Sequence, residues 1–457
     1  MNRFLSIKQL LKMTLTTFVF LMLTGSILAQ KIWKLEDCIH HAHENNISVQ
    51  QSYLNVETAK VNQLESKLSL LPSLSSSISH SFGWGRSIDL ATYEYTDKQT
   101  QQSYFDIGSS ITLFNGFQKI NTMKLRRYEY LASRYDTDKI KNDISIAVAS
   151  AYLQILFSEE LVNNAQNQVE VTLQQVARTQ KLYEVGTLAQ GSVLEIQAQL
   201  ATEEVTLVQA ENQRNIAVLD LLQLLELEAG TTIELERPAL TILQEPELQP
   251  IDYIYNTALA VMPEIKSAEM NLEGALRSLA IARGNRSPSI SMRSGFGTNY
   301  SDQITDLETG RLKSFDEQIR DNHSITLSFS MNIPIFNGYQ VGSYIQRSKL
   351  NRINADYNLQ KTKNALRKSI ETAYADALAA YKTYVARQKS LKNLQESFKY
   401  TEHRFNVGMV NALDYNVAKN QMNRAESDVL SAKFDYLFKL KILDFYLDKP
   451  LTLSDLK

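Results

Sequence analysis

Histidines 40, 41 and 43, in the stretch LEDCIHHAH, are the residues of this chain that most invite metal chemistry. His40 and His43 stand three apart on one helical face, a spacing at which two imidazoles can share a cation. No further ligand cluster accompanies them, so a solvated helix start explains them better, and neither a metal nor another cofactor is expected. Catalytic signatures are missing as well: there is no P-loop, nucleophile elbow, metalloprotease signature or paired Cys-His set. An enzyme is therefore disfavoured. The single cysteine, Cys38, cannot form an internal disulfide and reads as a buried apolar residue. What the sequence states twice is a turn: YEVGTLAQGSVLE from Tyr183 to Glu195, and FNVGMVNALDYNV from Phe405 to Val417.

The elements around those turns are long and also come in pairs. In 457 residues there are only 8 Pro and 16 Gly against 44% apolar content, which favours extended regular structure with a large core. A formal charge of −2 gives no footing for nucleic acid. Ala42 to Leu74 can be laid over Ala258 to Ile290, placing Pro72 on Pro288. Leu113 to Leu225 can be laid over Ile335 to Leu447 without a gap, placing LFNGFQ on IFNGYQ and Gly186 on Gly408. Between Gly116 and Gly230 the only breakers are Gly186 and Gly191; after Gly342 they are Gly408 and Pro450. Apolar residues recur at helical spacing, as in Ile140, Ile144, Val148, Ala151 and Ile155, echoed by Leu366, Ile370, Ala373 and Ala377.

These breaks predict a first repeat over 30–237, with helices at about 35–70, 117–182 and 192–228 and strands at about 73–84 and 104–114. A linker follows over 238–250, in RPALTILQEPELQP. The second repeat, 251–457, carries helices at about 252–284, 339–404 and 414–447 and strands at about 289–297 and 324–335. From Asn121 to Leu182 a helix runs roughly 90 Å, and its shorter neighbours roughly 55 Å each. Such lengths exceed what a globular domain needs and suit a supercoiled bundle. The rod tyrosines, including Tyr152, Tyr374, Tyr381 and Tyr384, read as interhelical packing.

The strand segments alternate. Leu74, Ile78 and Phe82 oppose Ser73, Ser75, Ser77, Ser79 and Ser81; Ile325, Leu327, Phe329 and Met331 oppose Thr326, Ser328, Ser330 and Asn332. A half-buried soluble sandwich alternates in the same way, and the strands alone leave that open. Strands of this length also suit a membrane barrel, with long polar loops at about 85–103 and 298–322. Pro72, Pro288 and Pro334, with Asn115, Gly116, Asn337 and Gly338, mark the joints between helix and strand. Four strands cannot close a barrel, since even the smallest use eight, so closure would need several chains. Residues 1–29 resemble a secretory signal peptide: Arg3, Lys8 and Lys12 precede an apolar run from Met13 to Leu28, with cleavage expected after Ala29. That run is short for a spanning anchor of about 20 residues, and no later run of about 18 apolar residues follows.

Signal, duplicated halves, proline-led strands, L/I-F-N-G exits and V-G turns, taken in order, resemble the TolC-like outer-membrane efflux protein family, the outer-membrane factors. The resemblance covers essentially the whole chain after the signal. It implies a mainly α fold with β, built from a duplicated helix-strand-strand-helix repeat. It further implies a homotrimer whose twelve-stranded outer-membrane β-barrel continues as a periplasmic α-helical coiled-coil barrel. The function implied is the exit duct of a tripartite efflux pump or type I secretion system of a Gram-negative bacterium. Its partners would be outer-membrane lipid, a periplasmic adaptor and an inner-membrane transporter of RND, ABC or MFS type, and the cargo is not specified. A structural or adhesive coiled-coil protein of the periplasm or surface is the rival reading.

The resemblance also assigns roles to residues. Val185, Gly186, Thr187, Val407, Gly408 and Met409 fall at the adaptor-docking turns, although a plain helical turn explains both glycines equally well. Asp414 falls where acidic rings constrict the lumen, with Ser192 and Glu195 at the matching places of the first repeat. A solvated helix start or a dipole partner accounts for Asp414 as well. The polar latch of the family is not matched, because its positions read Phe405, Val410 and Ser192. An apolar contact through Phe405 is the expected replacement.

Overall fold

The computed structural model describes residues 32–88, 94–97, 99–228, 230–237, 248–306 and 308–453. The signal peptide and most of the 238–250 linker lie outside the described residues. The chain is mainly helical with a smaller share of strand, and it divides into two compact units. One comprises the described residues up to Gln50, Lys141–Ala258 and those from Ser369 on; the other is Gln51–Ile140 with Leu259–Lys368.

Nine helices are described: α1 (Leu35–Asn45), α2 (Ile47–Leu68), α3 (Gln118–Glu184), α4 (Gln190–Leu224), α5 (Ile251–Val261), α6 (Pro263–Gly284), α7 (Phe315–Asp321), α8 (Gln340–Asn406) and α9 (Ala412–Tyr446). Their lengths pair off: α1 and α5 have 11 residues, α2 and α6 have 22, α3 and α8 have 67, α4 and α9 have 35.

The helices expected at 35–70 and 252–284 are each interrupted. Asn46 is extended (ψ 128°), ends α1, and accepts a 3.0 Å bond from the Ser48 amide, which starts α2. Its side-chain amide also donates to the Leu224 carbonyl at 3.1 Å. At the matching place Pro263, which has no N–H, holds Met262 extended (ψ 125°) and begins α6.

In the first unit, Leu35, Cys38 and Ala42 of α1, Val148, Tyr152 and Ile155 of α3, and Leu221 of α4 form a closed apolar core. A window of α3 is apolar enough for a membrane span, but Val148, Tyr152, Ile155 and Leu156 of that helix are packed into this core. Strand β1 (Ile32–Trp33) pairs in parallel with β6 (Glu234–Leu235) beside it. The buried Tyr152 hydroxyl lies 3.1 Å from the Trp33 carbonyl and 2.9 Å from that of Glu236, so it can donate to either and pins the strand pair to α3. Burial pushes its phenol well above the ordinary value and keeps it neutral.

The second unit holds a four-stranded antiparallel sheet in the order β2 (Ser73–Gly83), β5 (Thr100–Phe114), β7 (Ser289–Ser301) and β8 (Ser324–Asn332). Ser73 faces Ser110 in one outer pair, Ser289 faces Asn332 in the other, and Ile107 faces Phe296 at the centre. β8 stops at Asn332, short of the expected 335, because Pro334 has no donor for the ladder. Both loop regions contain structure that the alternation did not signal. A short hairpin pairs β3 (Arg86–Ile88) with β4 (Tyr95–Asp97), and α7 packs Phe315 against Phe105 and Tyr300. A capping box, Ser314 with Glu317, starts α7.

His43 links α1 to α3: its Nε2 lies 2.8 Å from Ser145 Oγ and 3.1 Å from the Lys141 carbonyl. Burial lowers its pKa, reinforced by the charges of Lys141 and His40 and opposed by the Lys141 carbonyl. The folded state therefore binds fewer protons than the unfolded one, and stability falls as pH drops below about 6.5, the unperturbed histidine value. In thermal unfolding, the margin by which wild type exceeds His43→Gln is expected to shrink from pH 7.5 to 5.5, roughly tracking that titration; a constant margin would rule this out.

Candidate functional site: two helix turns and an open sheet

The repeated turns close α3 and α8 in the same way. Gly186 N–H donates to the Tyr183 carbonyl at 2.9 Å and Thr187 N–H to that of Leu182 at 2.9 Å. Gly408 donates to Phe405 at 3.0 Å and Met409 to Arg404 at 2.8 Å. This is the Schellman arrangement, which needs a left-handed residue after the helix, and the glycines supply φ of +76° and +78°. A Cβ on either would meet open space, so backbone conformation and not crowding demands glycine. Around them Val185, Val407 and Met409 are at least 70% exposed, and Leu413 and Leu194 are also exposed. Both turns thus present exposed apolar side chains.

Asp414 is exposed at the third position of α9, where the Asn411 side chain caps its amide at 2.8 Å. A carboxylate there favours the helix dipole whatever else it does. Glu195 is exposed on α4 and Ser192 half-buried. Phe405 lies in the last turn of α8. It is buried, stacked on Tyr415 with ring centroids 4.9 Å apart, and packed with Ile196 and Ala412. It thus joins the end of α8 to α9 and to Ile196 of α4 in one apolar cluster. Burial, with Glu402 and Glu203 nearby, pushes the Tyr415 phenol up to about 12.

Beyond this cluster lies a polar network that the sequence reading did not single out. Lys419 Nζ lies 2.9 Å from Glu203 Oε1, and both side chains are at most 5% exposed. Thr172 hydrogen-bonds both, Gln199 donates to Glu203 at 2.9 Å, and Gln199 and Asn420 exchange bonds at 2.9 and 3.2 Å. The network ties α3, α4 and α9 together. A signal was present: Ala412, Tyr415 and Lys419 share one helical face, as do Ile196, Gln199 and Glu203, which puts each charge on the side facing the core.

The sheet joints also match in conformation. Gly116 and Phe117 take φ of 64° and 60°, and Gly338 and Tyr339 take 58° and 67°. Asn115 accepts from the Gln118 amide at 3.3 Å through its carbonyl. Their surroundings differ: Gly116 is seated against Gly284 and Ser287 with no room for a Cβ, whereas Gly338 faces open space. Pro72 is exposed, and Pro288, Pro334, Asn115 and Asn337 are half-buried. Every residue of β2 and β8 is exposed, and both lie at the edges of the sheet. One face presents Leu74, Ile78, Leu327 and Phe329, each more than 60% exposed, and the other is dominated by serine and threonine.

Comparison with known proteins agrees with this geometry. The family model described as "Outer membrane efflux protein" matches residues 38–226 and again 254–447. The chain is 22% identical over 306 residues to the Outer membrane protein TolC of Escherichia coli K12, covering 66% of this chain and 60% of that one. It thus spans about three fifths of the length of that relative. To the Probable efflux pump outer membrane protein TtgC of Pseudomonas putida it is 24% identical over 420 residues, 88% of this chain and 80% of that one. The crystal structure of the Campylobacter jejuni CmeC outer membrane channel superimposes with a TM-score of 0.74 at 17% identity, over 90% and 85% of the two chains.

Removing one partner of the buried ion pair strands the other charge. Lys419→Met or Glu203→Gln alone is expected to cost about 3–5 kcal/mol, and the double variant much less. Chemical unfolding of the four proteins measures the coupling; additive losses would show that the pair does not act as a unit.

Proposed function

Because this chain belongs to the outer membrane efflux protein family, we propose that it is a trimeric outer-membrane channel, the exit duct of a tripartite efflux pump or type I secretion system. One observation carries the reading: a four-stranded sheet with an exposed apolar face and two unpaired edges. In lipid each unsatisfied backbone group costs several kcal/mol, so β8 of one copy must meet β2 of another. Three copies bring the strand number to about twelve, within the range of single-walled barrels. The open seat at Gly338 supports the same assembly. Its counterpart Gly116 is filled from within the chain by Gly284 and Ser287, and a second copy would fill it with residues around Leu68 to Leu71.

In this assembly the apolar face meets lipid, the hydroxyl face lines water, and the helices form a periplasmic barrel. Matched helix lengths and matched left-handed residues support a duplicated repeat as its building unit. The P. putida relative's name supports efflux over secretion. Substrate reaches the duct from an inner-membrane transporter of RND, ABC or MFS type through an adaptor docked on Val185, Gly186, Thr187, Val407, Gly408 and Met409. Asp414, repeated threefold, forms a carboxylate constriction with Glu195 and Ser192 behind it, which favours cations.

Two outcomes follow. Gly408→Arg should abolish crosslinking to the adaptor while the trimer persists in detergent, and retained crosslinking would dismiss the docking role. Asp414→Ala should lower cation preference or raise conductance in planar bilayers, and unchanged values would remove it from the constriction.

A further inference from the structure

Among the described residues, Arg293 is a cation without a carboxylate partner on the hydroxyl face of β7. It lines a cavity of about 360 Å³ with Lys119, Ser73, Ser110, Ser291 and Thr112. The register explains the grouping, since Ser73, Ser110 and Arg293 sit on three neighbouring strands at one level. Ser73 and Ser110 hydroxyls lie 2.9 Å apart, and the Ser291 hydroxyl lies 2.7 Å from that of Ser330. Lys119 Nζ donates to the Ser69 carbonyl, which leaves two of its three protons for other acceptors.

The chemistry of this set is one-signed. A guanidinium offers five donors in a planar fork, the ammonium offers a compact charge, and the hydroxyls can each donate one bond. Among the described residues the carboxylate on the same face is Asp106, which pairs with Gly297 and whose oxygens lie over Gly108 and Gly295, two residues along β5 and β7 from Ser110 and Arg293, with no ion pair to Arg293. The segments leading into and out of this end of the sheet are also basic: Lys67, Arg283, Arg286, Lys124 and Arg127, against Glu65. Arg126 beside them is already paired with Glu129 at 2.7 Å.

We propose that Arg293 and Lys119 form an anion-binding girdle at the helix-side end of the sheet, taking carboxylate or phosphate groups of solutes in transit. The inference rests on the duct reading, in which the hydroxyl face lines the pore. A three-copy assembly then presents three guanidinium groups and three ammonium groups at one level, enough to raise local anion concentration. A cargo bearing an acidic group would pause there, while a cation would be repelled.

The test is the reversal potential of the purified protein in planar bilayers under a KCl gradient. Arg293→Gln is expected to lower the chloride-to-potassium permeability ratio several-fold, Arg293→Lys to leave it near wild type, and Lys119→Met to lower it in part. Inorganic phosphate added to the bath should reduce wild-type current and leave Arg293→Gln unaffected. An unchanged ratio in conducting Arg293→Gln channels overturns the girdle. If that variant does not assemble, an unchanged ratio in Lys119→Met does so instead. Absence of any pore from the wild type would overturn the duct reading itself, a separate result.

Discussion

Unpaired backbone at the two edges of one sheet is the constraint to which the rest of this chain answers. β2 and β8 expose N–H and C=O groups along their full length, and one face of the sheet exposes leucine, isoleucine and phenylalanine. In water such a surface is an aggregation template; in lipid the apolar face is satisfied and the edges become the costly part. Each large apolar side chain moved out of water contributes about 1.5–3 kcal/mol. The lipid thus stabilises the face, while the edge groups are what still call for hydrogen-bond partners. Charged gatekeepers, which soluble proteins place on edge strands, are missing from both: β2 reads SLSSSISHSFG and β8 reads SITLSFSMN.

The joints carry the same logic into the helices. A chain leaving the membrane must turn sharply from strand to helix without leaving polar groups unpaired, and Asn-Gly followed by an aromatic residue does this twice with nearly equal dihedrals. Phe117 and Tyr339 adopt left-handed backbone that a bulky residue accepts only at a cost of about 1–3 kcal/mol. Such strain persists where surrounding contacts determine it. Around Gly116 those contacts come from Gly284, whose own missing side chain makes the close approach feasible. Around Gly338 no described atom lies within reach of a Cβ, and the Tyr339 ring is set instead over Gly342, whose missing side chain makes room for it.

Much of this was readable from residue order because breakers and periods are local signals. Gly186, Gly408, Pro72, Pro288 and the serine-leucine alternation each act within a few residues of themselves, and the mainly helical fold with strands follows from them. The α7 helix was equally local, announced by Ser314 and Glu317 in capping-box spacing, but it lay inside a stretch taken as loop. What resisted reading depends on long-range partners. Asn46 interrupts a helix because its side chain finds the Leu224 carbonyl, far along the chain. Phe405 occupies a position where a polar latch residue was expected, yet its ring is committed to Tyr415 inside the same hairpin pair. Lys419 and Glu203 lie far apart along the chain, and only the fold brings the two buried charges together as a unit.

That buried unit has a consequence for how the helical turns can move. A surface ion pair separates easily, but Lys419 and Glu203 are screened by protein, and parting them exposes two charges to a medium that cannot solvate them. Thr172, Gln199 and Asn420 fix the geometry further, so α3, α4 and α9 are held at this level as one body. Motion at the turns must then pivot on the tip side of this level, where side chains such as Val185, Val407 and Met409 are already exposed and little contact is lost. Alternatively it must rotate the tied helices together, leaving the pair intact. In either case the glycines, free of side-chain neighbours, are where the backbone can adjust without repacking a core.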